Sequence, residues 1–396
     1  MKNYKMNFFE LQVTLSFCIV FLLRMLGVFS ILPVLSKYGM YLDGGNKFLI
    51  GLSVSIYAFT QMIFQIPFGF LSDKLGRKEV ILFGLFIFLI GSIVAANTNS
   101  IWGLIFGRAI QGSGAISGVS MACLSDFIRK EHRIKSISAI GASFAVSFLI
   151  SIVFGSFIID KFAFSFIFWF SSIFAIICML IIYFIIPSNN NKQYQKNKLK
   201  KETKCFNQKN IKHVLNFKFC RFYLSIFGLH FMLTMHFLII PHQLEISGLI
   251  LHYHWIIYFL TILFSFFILY FIVLYGKYYC FLKNIIEVCI ALIFLSSLFF
   301  LFFYNNVICL ILALQIFFIA FNILEVFLPL NLSKAISIND YKGSIMSIYS
   351  TSQYLGIFLG GIINGWLYTF LNVSQIFLYE ILLVFIWFIF NCFCKE

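Results

Sequence analysis

The chain has 396 residues, of which 61% are hydrophobic, 20% are aromatic and 11% are charged, and its mean hydropathy is +0.97. Soluble domains are typically about half apolar and about one quarter charged. This composition excludes a soluble globular protein and predicts an integral membrane protein.

Apolar stretches long enough to cross a membrane recur along the whole chain. A helix of about 20 apolar residues spans the ~30 Å hydrocarbon core of a bilayer. We predict an all-α membrane protein with twelve transmembrane helices, at residues 11–36, 48–70, 80–97, 101–124, 136–159, 163–186, 221–241, 255–275, 284–303, 307–330, 343–369 and 375–393. No small-residue cleavage site follows the first span, so we expect it to be retained as a helix and not removed as a signal peptide.

The net charge of +15 is distributed unevenly between the two sides of the predicted bilayer. If the N-terminus is cytoplasmic, 24 of the 29 lysine and arginine residues fall in cytoplasmic segments and three fall on the opposite side. Cytoplasmic loops of membrane proteins carry an excess of Lys and Arg. The basicity therefore indicates topology and not nucleic-acid binding, and we expect both termini to be cytoplasmic.

One long polar segment divides the spans into two sets of six. Residues 187–220 are rich in Lys and Asn, and we predict a flexible, basic, cytoplasmic linker there. The linker separates an N-terminal six-helix bundle, residues 1–186, from a C-terminal six-helix bundle, residues 221–396. Two equal halves suggest an internal duplication that gives two pseudo-symmetric bundles.

Several spans carry closely spaced glycines. Glycines four residues apart on a helix let two backbones approach closely. We expect a helix-packing role for Gly112, Gly114, Gly118, Gly155, Gly360 and Gly361.

Ionisable side chains inside the spans indicate the candidate site, because each one costs about 2.5–3.5 kcal/mol at the centre of a helix. Six lie at least five residues from either end of their span, and five of these are in the first helix of a group of three spans. If four three-helix units surround a pseudo-symmetric centre, these groups converge on one substrate cavity. The predicted cavity and proton-coupling residues are Arg24, Arg108, Gln111, His230 and Glu325. Further polar side chains in the spans are Gln61, Gln65, Gln315, Asn322 and Gln353.

Each of these groups also has a structural interpretation. Arg108 can bind helix carbonyl groups, and Glu325 can be a hydrogen-bonded structural acid. A carboxyl group shielded from water can hold a proton at neutral pH and release it when wetted, so Glu325 is the candidate proton carrier. His230 and His236 are also compatible with helix packing. Glu380 lies near the end of span 12, where we expect a peripheral position outside the site.

The connection between spans 2 and 3 is short and highly charged: "LSDKLGRKE", residues 71–79. Gly69 is expected to permit close approach of the helices, and Gly76 to allow a tight turn. Asp73 can cap a helix N-terminus, and Arg77 can bind a carboxylate through two hydrogen bonds. Ordinary loop charge is the alternative.

The residues of this connection carry a family resemblance. The string "GFLSDKLGRK", residues 69–78, resembles the signature between helices 2 and 3 of the major facilitator superfamily. The string "GRAIQGSGA", residues 107–115, resembles the fourth-helix motif of the drug:proton antiporter branch. The strings "RMLGVFSILPVL" and "YSTSQYLG" extend the resemblance to bacterial inner-membrane transporters over essentially all twelve spans.

The resemblance implies an alternating-access secondary transporter of the bacterial inner membrane, in which the charged connection is a conformational latch. In the family the aspartate, here Asp73, lies at the start of helix 11. The arginine, here Arg77, binds an acid at the end of helix 4, here Asp126, and opening the latch favours the inward-facing state. The implied latch residues are Gly69, Asp73, Gly76, Arg77, Lys78 and Asp126.

The sequence departs from the family pattern in three places. Gly155 is followed by Ser156 where the antiporter motif of helix 5 has proline, which weakens the inference of drug antiport. The loop between spans 8 and 9, "YGKYYCFLK", lacks the signature acid. Similar bacterial transporters carry a soluble C-terminal domain, and we expect this chain to lack one because it ends at Glu396, directly after span 12.

Three functions fit these residues. The first is a proton-coupled transporter, an exporter by analogy with the antiporters; the second is an uncoupled metabolite uniporter; the third is a membrane sensor or scaffold that does not transport. An enzyme is not expected, because the sequence shows no nucleophile with a base partner, no phosphate-binding glycine loop and no metal cluster. The ten cysteines lack zinc spacing, so we expect no metal and no cofactor. We expect a monomer whose partners are a small-molecule substrate, protons and the lipid bilayer.

Overall fold

The computed structural model describes the chain in five stretches, residues 6–187, 217–249, 253–275, 284–335 and 342–393. Almost all of the predicted linker lies outside the described residues, and so does nearly the whole loop between spans 8 and 9. Among the described residues, every regular element is a helix apart from one β-bridge between Asp43 and Ser100.

Helices account for both halves of the described chain. Those of the first half are α1 (Phe8–Phe29), α2 (Leu32–Tyr38), the 3₁₀ turn Gly39–Tyr41, α3 (Lys47–Leu75), α4 (Arg77–Ala96), α5 (Ile101–Ser113), α6 (Ser117–Phe127), α7 (Lys130–Lys161) and α8 (Phe166–Ile185). Those of the second half are α9 (Phe217–Ile246), α10 (His254–Tyr275), α11 (Ile285–Phe303), α12 (Val307–Ala335), α13 (Lys342–Phe370) and α14 (Val373–Phe393).

The helices coincide with the twelve predicted spans. Spans 1 and 4 are each formed by two helices, α1 with α2 and α5 with α6, and each other span is one helix. By length and composition, ten of the described helices could cross a membrane. The other two spans are the interrupted α5–α6 pair and α13, which carries five glycines. The predicted all-α membrane fold is confirmed.

The chain forms two compact units. Unit 1 comprises Met1–Gly45 and Ile56–Lys201, and unit 2 comprises Asn46–Ser55 and Glu202–Glu396. In unit 1, α1 packs on α7, and α4 packs on α5 and α8. In unit 2, α9 packs on α13, and α11 packs on α12 and α14. The first and fifth, third and fourth, and third and sixth spans therefore pair in both units, which supports an internal duplication. The predicted domain boundaries stay predictions, because the linker is not described.

Glycines bring the backbones of α4 and α5 together inside unit 1. A Cβ atom at Gly114 would fall against the carbonyl oxygen of Gly84, and one at Gly91 would lie 2.7 Å from the carbonyl oxygen of Gly107. A Cβ at four more of the glycines predicted to pack would meet backbone or hydroxyl oxygens, namely Gly112, Gly155, Gly360 and Gly361. The expectation is wrong for Gly118, whose Cβ would make only an ordinary contact, 3.5 Å from Gln65.

The fourth span is interrupted where α5 ends at Ser113 and α6 begins at Ser117. The carbonyl oxygen of Gly114 lies in this interruption and accepts a hydrogen bond from Arg24 of α1 at 2.8 Å. A backbone carbonyl at membrane depth needs a partner within the protein, since lipid tails offer none. Arg24 therefore stabilises the interruption and fixes α1 against it.

Candidate functional site

The latch begins at a one-residue connection between α3 and α4. Leu75 ends α3 and Arg77 begins α4, so Gly76 alone makes the turn. Its φ of +111° with ψ of 146° is a backbone conformation that essentially only glycine adopts. The sharp turn places Asp73 and Arg77 on consecutive helices at the same end of unit 1.

Arg77 joins three helices of unit 1. Its Nε donates to Asp126 Oδ2, at the end of α6, over 2.5 Å. Its second contact is with Asp73 Oδ1, in the last turn of α3, at 3.5 Å. Asp126 is 22% exposed and Asp73 is 42% exposed, so the pair with Asp126 is the better shielded from solvent. One guanidinium thus holds the ends of α3, α4 and α6 together.

Two other latch residues behave differently from Arg77. Lys78 Nζ donates to the backbone carbonyl of Tyr183 at 2.6 Å, which fixes α4 to the end of α8. A Cβ built at Gly69 would meet no atom of the described residues within 4 Å. Within that part of the chain, the structure therefore contradicts the expectation that Gly69 permits close helix approach. The contact that the resemblance implies between Asp73 and span 11 stays a prediction.

Arg24 lies among uncharged partners in unit 1. It is 1% exposed. Besides Gly114, it donates to Gln61 Oε1 at 3.0 Å and to Ser117 Oγ at 3.4 Å, and Gln61 Nε2 donates to the same Ser117 at 3.2 Å. This geometry gives Arg24 a structural role at the helix interruption, and its role in a cavity stays a prediction.

Arg108 and Gln111 form a second buried polar group in unit 1. Arg108 donates to Gln111 Oε1 at 3.1 Å, and Gln111 donates to Ser92 Oγ of α4 at 2.8 Å. The Arg108 guanidinium also stacks over the ring of Tyr57, 4.8 Å from its centroid. A cation over an aromatic face is stabilised by the ring quadrupole. The structure therefore brings Arg108 and Gln111 together, as residues three apart on a helix.

Unit 2 brings together His230 of α9, Glu325 of α12 and Gln353 of α13. Gln353 Nε2 lies 2.8 Å from His230 Nε2 and 3.4 Å from Glu325 Oε1. Glu325 Oε2 lies 3.9 Å from His230 Nε2 and has no hydrogen-bond partner among the described residues. The His230 side chain is 6% exposed and that of Glu325 is 39% exposed. The Glu325 side chain is thus more exposed than that of His230, although its Oε2 atom is itself buried.

Hydrogen-bond partners assign the protonation state of His230. Its Nδ1 lies 3.2 Å from the carbonyl oxygen of Ile226, which can only accept a hydrogen bond, so Nδ1 carries the proton. Its Nε2 faces the Gln353 amide nitrogen, which can only donate, so Nε2 is the acceptor. In this arrangement His230 is neutral, and Gln353 separates its Nε2 from the Glu325 carboxylate.

Glu380 of α14 is completely buried, so the prediction of a peripheral position is wrong. Its side chain is 0% exposed, and its Oε1 lies 2.9 Å from His236 Nε2 of α9 and accepts from Ser297 Oγ of α11 at 2.8 Å. The His236 ring also packs edge-on against Phe317 at 4.2 Å. The position of Glu380 in sequence gave no sign of this pairing, because the partners come from two other helices.

Two of the remaining polar residues of the spans, Gln315 and Asn322, have partners within unit 2. Asn322 donates to Ser265 Oγ at 2.5 Å, and Gln315 donates to the carbonyl oxygen of Thr261 at 3.2 Å. Both bonds fix α12 to α10. Within the described part of the chain, no three His, Cys, Asp or Glu side chains are grouped so that they could hold a metal ion.

Comparison with known families decides the identity of the fold. The family profile described as Major Facilitator Superfamily matches residues 17–360. The chain belongs to this superfamily. It is therefore a multi-pass membrane transporter, and members of the superfamily bind small-molecule substrates within the membrane.

Individual relatives agree with this assignment. A protein of Buchnera aphidicola subsp. Schizaphis graminum (strain Sg), described as an uncharacterized transporter, is 66% identical over the full length of both chains. Inner membrane transport protein YajR of Escherichia coli (strain K12) is 37% identical over 98% of this chain and 84% of its own length. The crystal structure of a D-xylose-proton symporter superposes with a TM-score of 0.73 at 14% identity, covering 96% of this chain and 97% of that one. At that identity the symporter shows the fold alone.

The latch turn gives a first prediction. Gly76→Ala forces a side chain into a backbone region reserved for glycine and against Glu79, so we expect the free energy of unfolding to fall by about 1–3 kcal/mol. Gly69 lies inside α3 with open space around the position of its Cβ. Gly69→Ala should therefore leave the free energy of unfolding unchanged or raise it by about 0.5–1 kcal/mol. Thermal unfolding of the two purified variants in detergent measures the difference. Equal stabilities would show that the turn does not require glycine.

The buried pair of unit 2 gives a second prediction. Glu380→Leu leaves the His236 ring and the Ser297 hydroxyl facing an apolar group, and removal of one partner from a buried pair costs about 3–5 kcal/mol. The double variant Glu380→Leu/His236→Phe removes both groups and should recover most of that loss. Thermal unfolding of both single variants and the double variant measures the coupling. Additive losses would mean that the two residues do not stabilise unit 2 as a pair.

Proposed function

We propose that the protein is a proton-coupled secondary transporter that exports a small molecule across the bacterial inner membrane by alternating access. The observation that carries the proposal is the group formed by His230, Gln353 and Glu325. Within a membrane-spanning bundle, an acid is normally paired or faces an accessible space. Glu325 Oε2 is buried and has no partner among the described residues, while the side chain as a whole is 39% exposed.

Glu325 is the proton carrier in this proposal. Its protonated form is neutral, and its ionised form receives a hydrogen bond from Gln353. The site can therefore hold Glu325 in either protonation state. His230 Nε2, 3.9 Å away, needs to approach by only about 1 Å to reach hydrogen-bond distance of Oε2. A displacement of Gln353 by substrate would open that approach, which couples occupancy of the site to the position of the proton.

The substrate-binding groups proposed in unit 1 are Arg24, Arg108 and Gln111. Arg108 and Gln111 already bind each other, so a substrate that takes one as a partner must replace this hydrogen bond. Arg108 provides a fixed positive charge, which favours an ionised substrate. This assignment is supported by the placement of these residues in spans 1 and 4, the first helices of two three-helix groups.

The latch controls which side of the membrane has access to the substrate. With both termini in the cytoplasm, the turn at Gly76 lies at the cytoplasmic end of unit 1. Support comes from the contact of Arg77 with Asp126, which the family signature implies, and from its further contact with Asp73. Loss of these ion pairs would favour the inward-facing state.

Replacing the proton carrier tests the proposal. Glu325→Gln keeps the size of the side chain and removes its titration, so accumulation of a substrate driven by a pH gradient should fall at least about tenfold, the loss expected when a group that must transfer a proton is removed. Glu245→Gln removes an exposed carboxylate from α9 and should transport normally. The measurement is uptake of a radiolabelled compound into proteoliposomes with and without a pH gradient.

The two outcomes separate the proposed coupling from its alternative. Gradient-driven accumulation by Glu325→Gln at the wild-type level would overturn the role of Glu325. Exchange by the wild-type protein that does not respond to pH would identify an uncoupled uniporter.

A further inference from the structure

The carboxylate of Glu10, near the start of α1, is buried and has four hydrogen-bond donors. It is 4% exposed. Three donors come from Arg129: its backbone N–H at 3.0 Å, its Nε at 2.9 Å and its second guanidinium nitrogen at 2.8 Å. The fourth donor is the backbone N–H of Asn7 at 2.9 Å. A carboxylate bound by a guanidinium through two parallel bonds is held in both position and orientation.

Arg129 belongs to the two-residue connection between α6 and α7. Ile128 and Arg129 join the end of α6 at Phe127 to the start of α7 at Lys130. Ile128 is 2% exposed, and its carbonyl oxygen accepts from Arg133 Nε at 3.1 Å. The connection is therefore short and bonded at both residues, with Ile128 buried and the Arg129 side chain 41% exposed.

Asp126, the partner of Arg77 in the latch, lies three residues before Arg129. The end of α6 and the connection that follows it are thus held by two different helices. Arg77 of α4 binds Asp126, and Glu10 of α1 binds Arg129. The ring of Phe9, beside Glu10, also packs edge-on against Phe127 at 5.9 Å.

We propose that Glu10 and Arg129 are positioning residues of the latch, which fix the end of α6 so that Asp126 meets Arg77. The pair gives α1, the helix that carries Arg24, a direct connection to the latch. A shift of α1 would then be transmitted through Arg129 to Asp126. This inference rests on the latch role proposed above.

Hydrogen–deuterium exchange of the full-length protein, without substrate, tests the inference. In Glu10→Gln, the amides of residues 72–80 should exchange about tenfold faster, as expected for loss of a charge-assisted bond. These amides include those of Gly76 and Val80, which donate to the carbonyl oxygens of Ser72 and Gly76. Asp126→Asn alone should give a similar rise. Adding Glu10→Gln to Asp126→Asn should give no further rise, because Glu10 acts through Asp126.

Two further variants make the test specific. Arg129→Gln removes the side-chain donors and keeps the backbone donor, and should accelerate exchange at residues 72–80 even if Glu10→Gln does not fold. Ser136→Ala removes a different polar contact between α1 and α7, in which Thr14 Oγ1 lies 3.0 Å from Ser136 Oγ, and should leave residues 72–80 unchanged.

Two results would overturn the inference. One is faster exchange confined to residues 7–14 and 128–133, with residues 72–80 as in the wild type, which means that the pair only joins α1 to α7. The other is an additive effect in the double variant. Because no substrate is used, failure of proton coupling would leave these results unchanged.

Discussion

A polar group inside the hydrocarbon core has no water to bind, so the protein itself must provide every partner. The rest of this structure depends on how each unit meets that demand. In unit 1, Arg24 binds the carbonyl oxygen of Gly114 where the fourth span is interrupted. In unit 2, Glu380 is bound by His236 and Ser297 from two other helices. These contacts fix the helix ends and interruptions, and the functional groups lie on the framework that they hold.

Glu325 and Glu380 show how the same residue type takes two roles within one unit. Glu380 is completely buried and has a close ring nitrogen and a hydroxyl donor at one of its oxygens. Glu325 is partly exposed, has one long hydrogen bond from Gln353, and faces His230 at a distance too great for a hydrogen bond. A group held tightly in a dry environment stabilises the fold, whereas a loosely held and accessible group can change its proton or its partner. This contrast favours Glu325 as the functional acid.

The sequence predicts much of this fold because a bilayer imposes a length and an apolar composition on every span. Each of the twelve predicted spans corresponds to helical segments, and the charged turn at Gly76 is a sharp connection between two of them. Neighbours across helices are harder to predict, since they depend on helix rotation and packing. For that reason the sequence predicts the wrong position for Glu380, and it predicts close helix contacts at Gly69 and Gly118 that the described residues do not make. Glu10 lies outside the predicted first span, where an acid needs no explanation until its partner Arg129 is known.

Proton movement triggered by substrate separates proton-coupled from uncoupled transport. Wild-type protein in proteoliposomes with a trapped pH dye would be exposed to a panel of drugs, sugars, amino acids and nucleosides, with protein-free liposomes as the control. If transport is proton-coupled, at least one compound should change the internal pH only when the protein is present. Exchange of radiolabelled compounds across the same vesicles, with no change of internal pH for any of them, would contradict proton coupling and leave Glu325 as a structural acid.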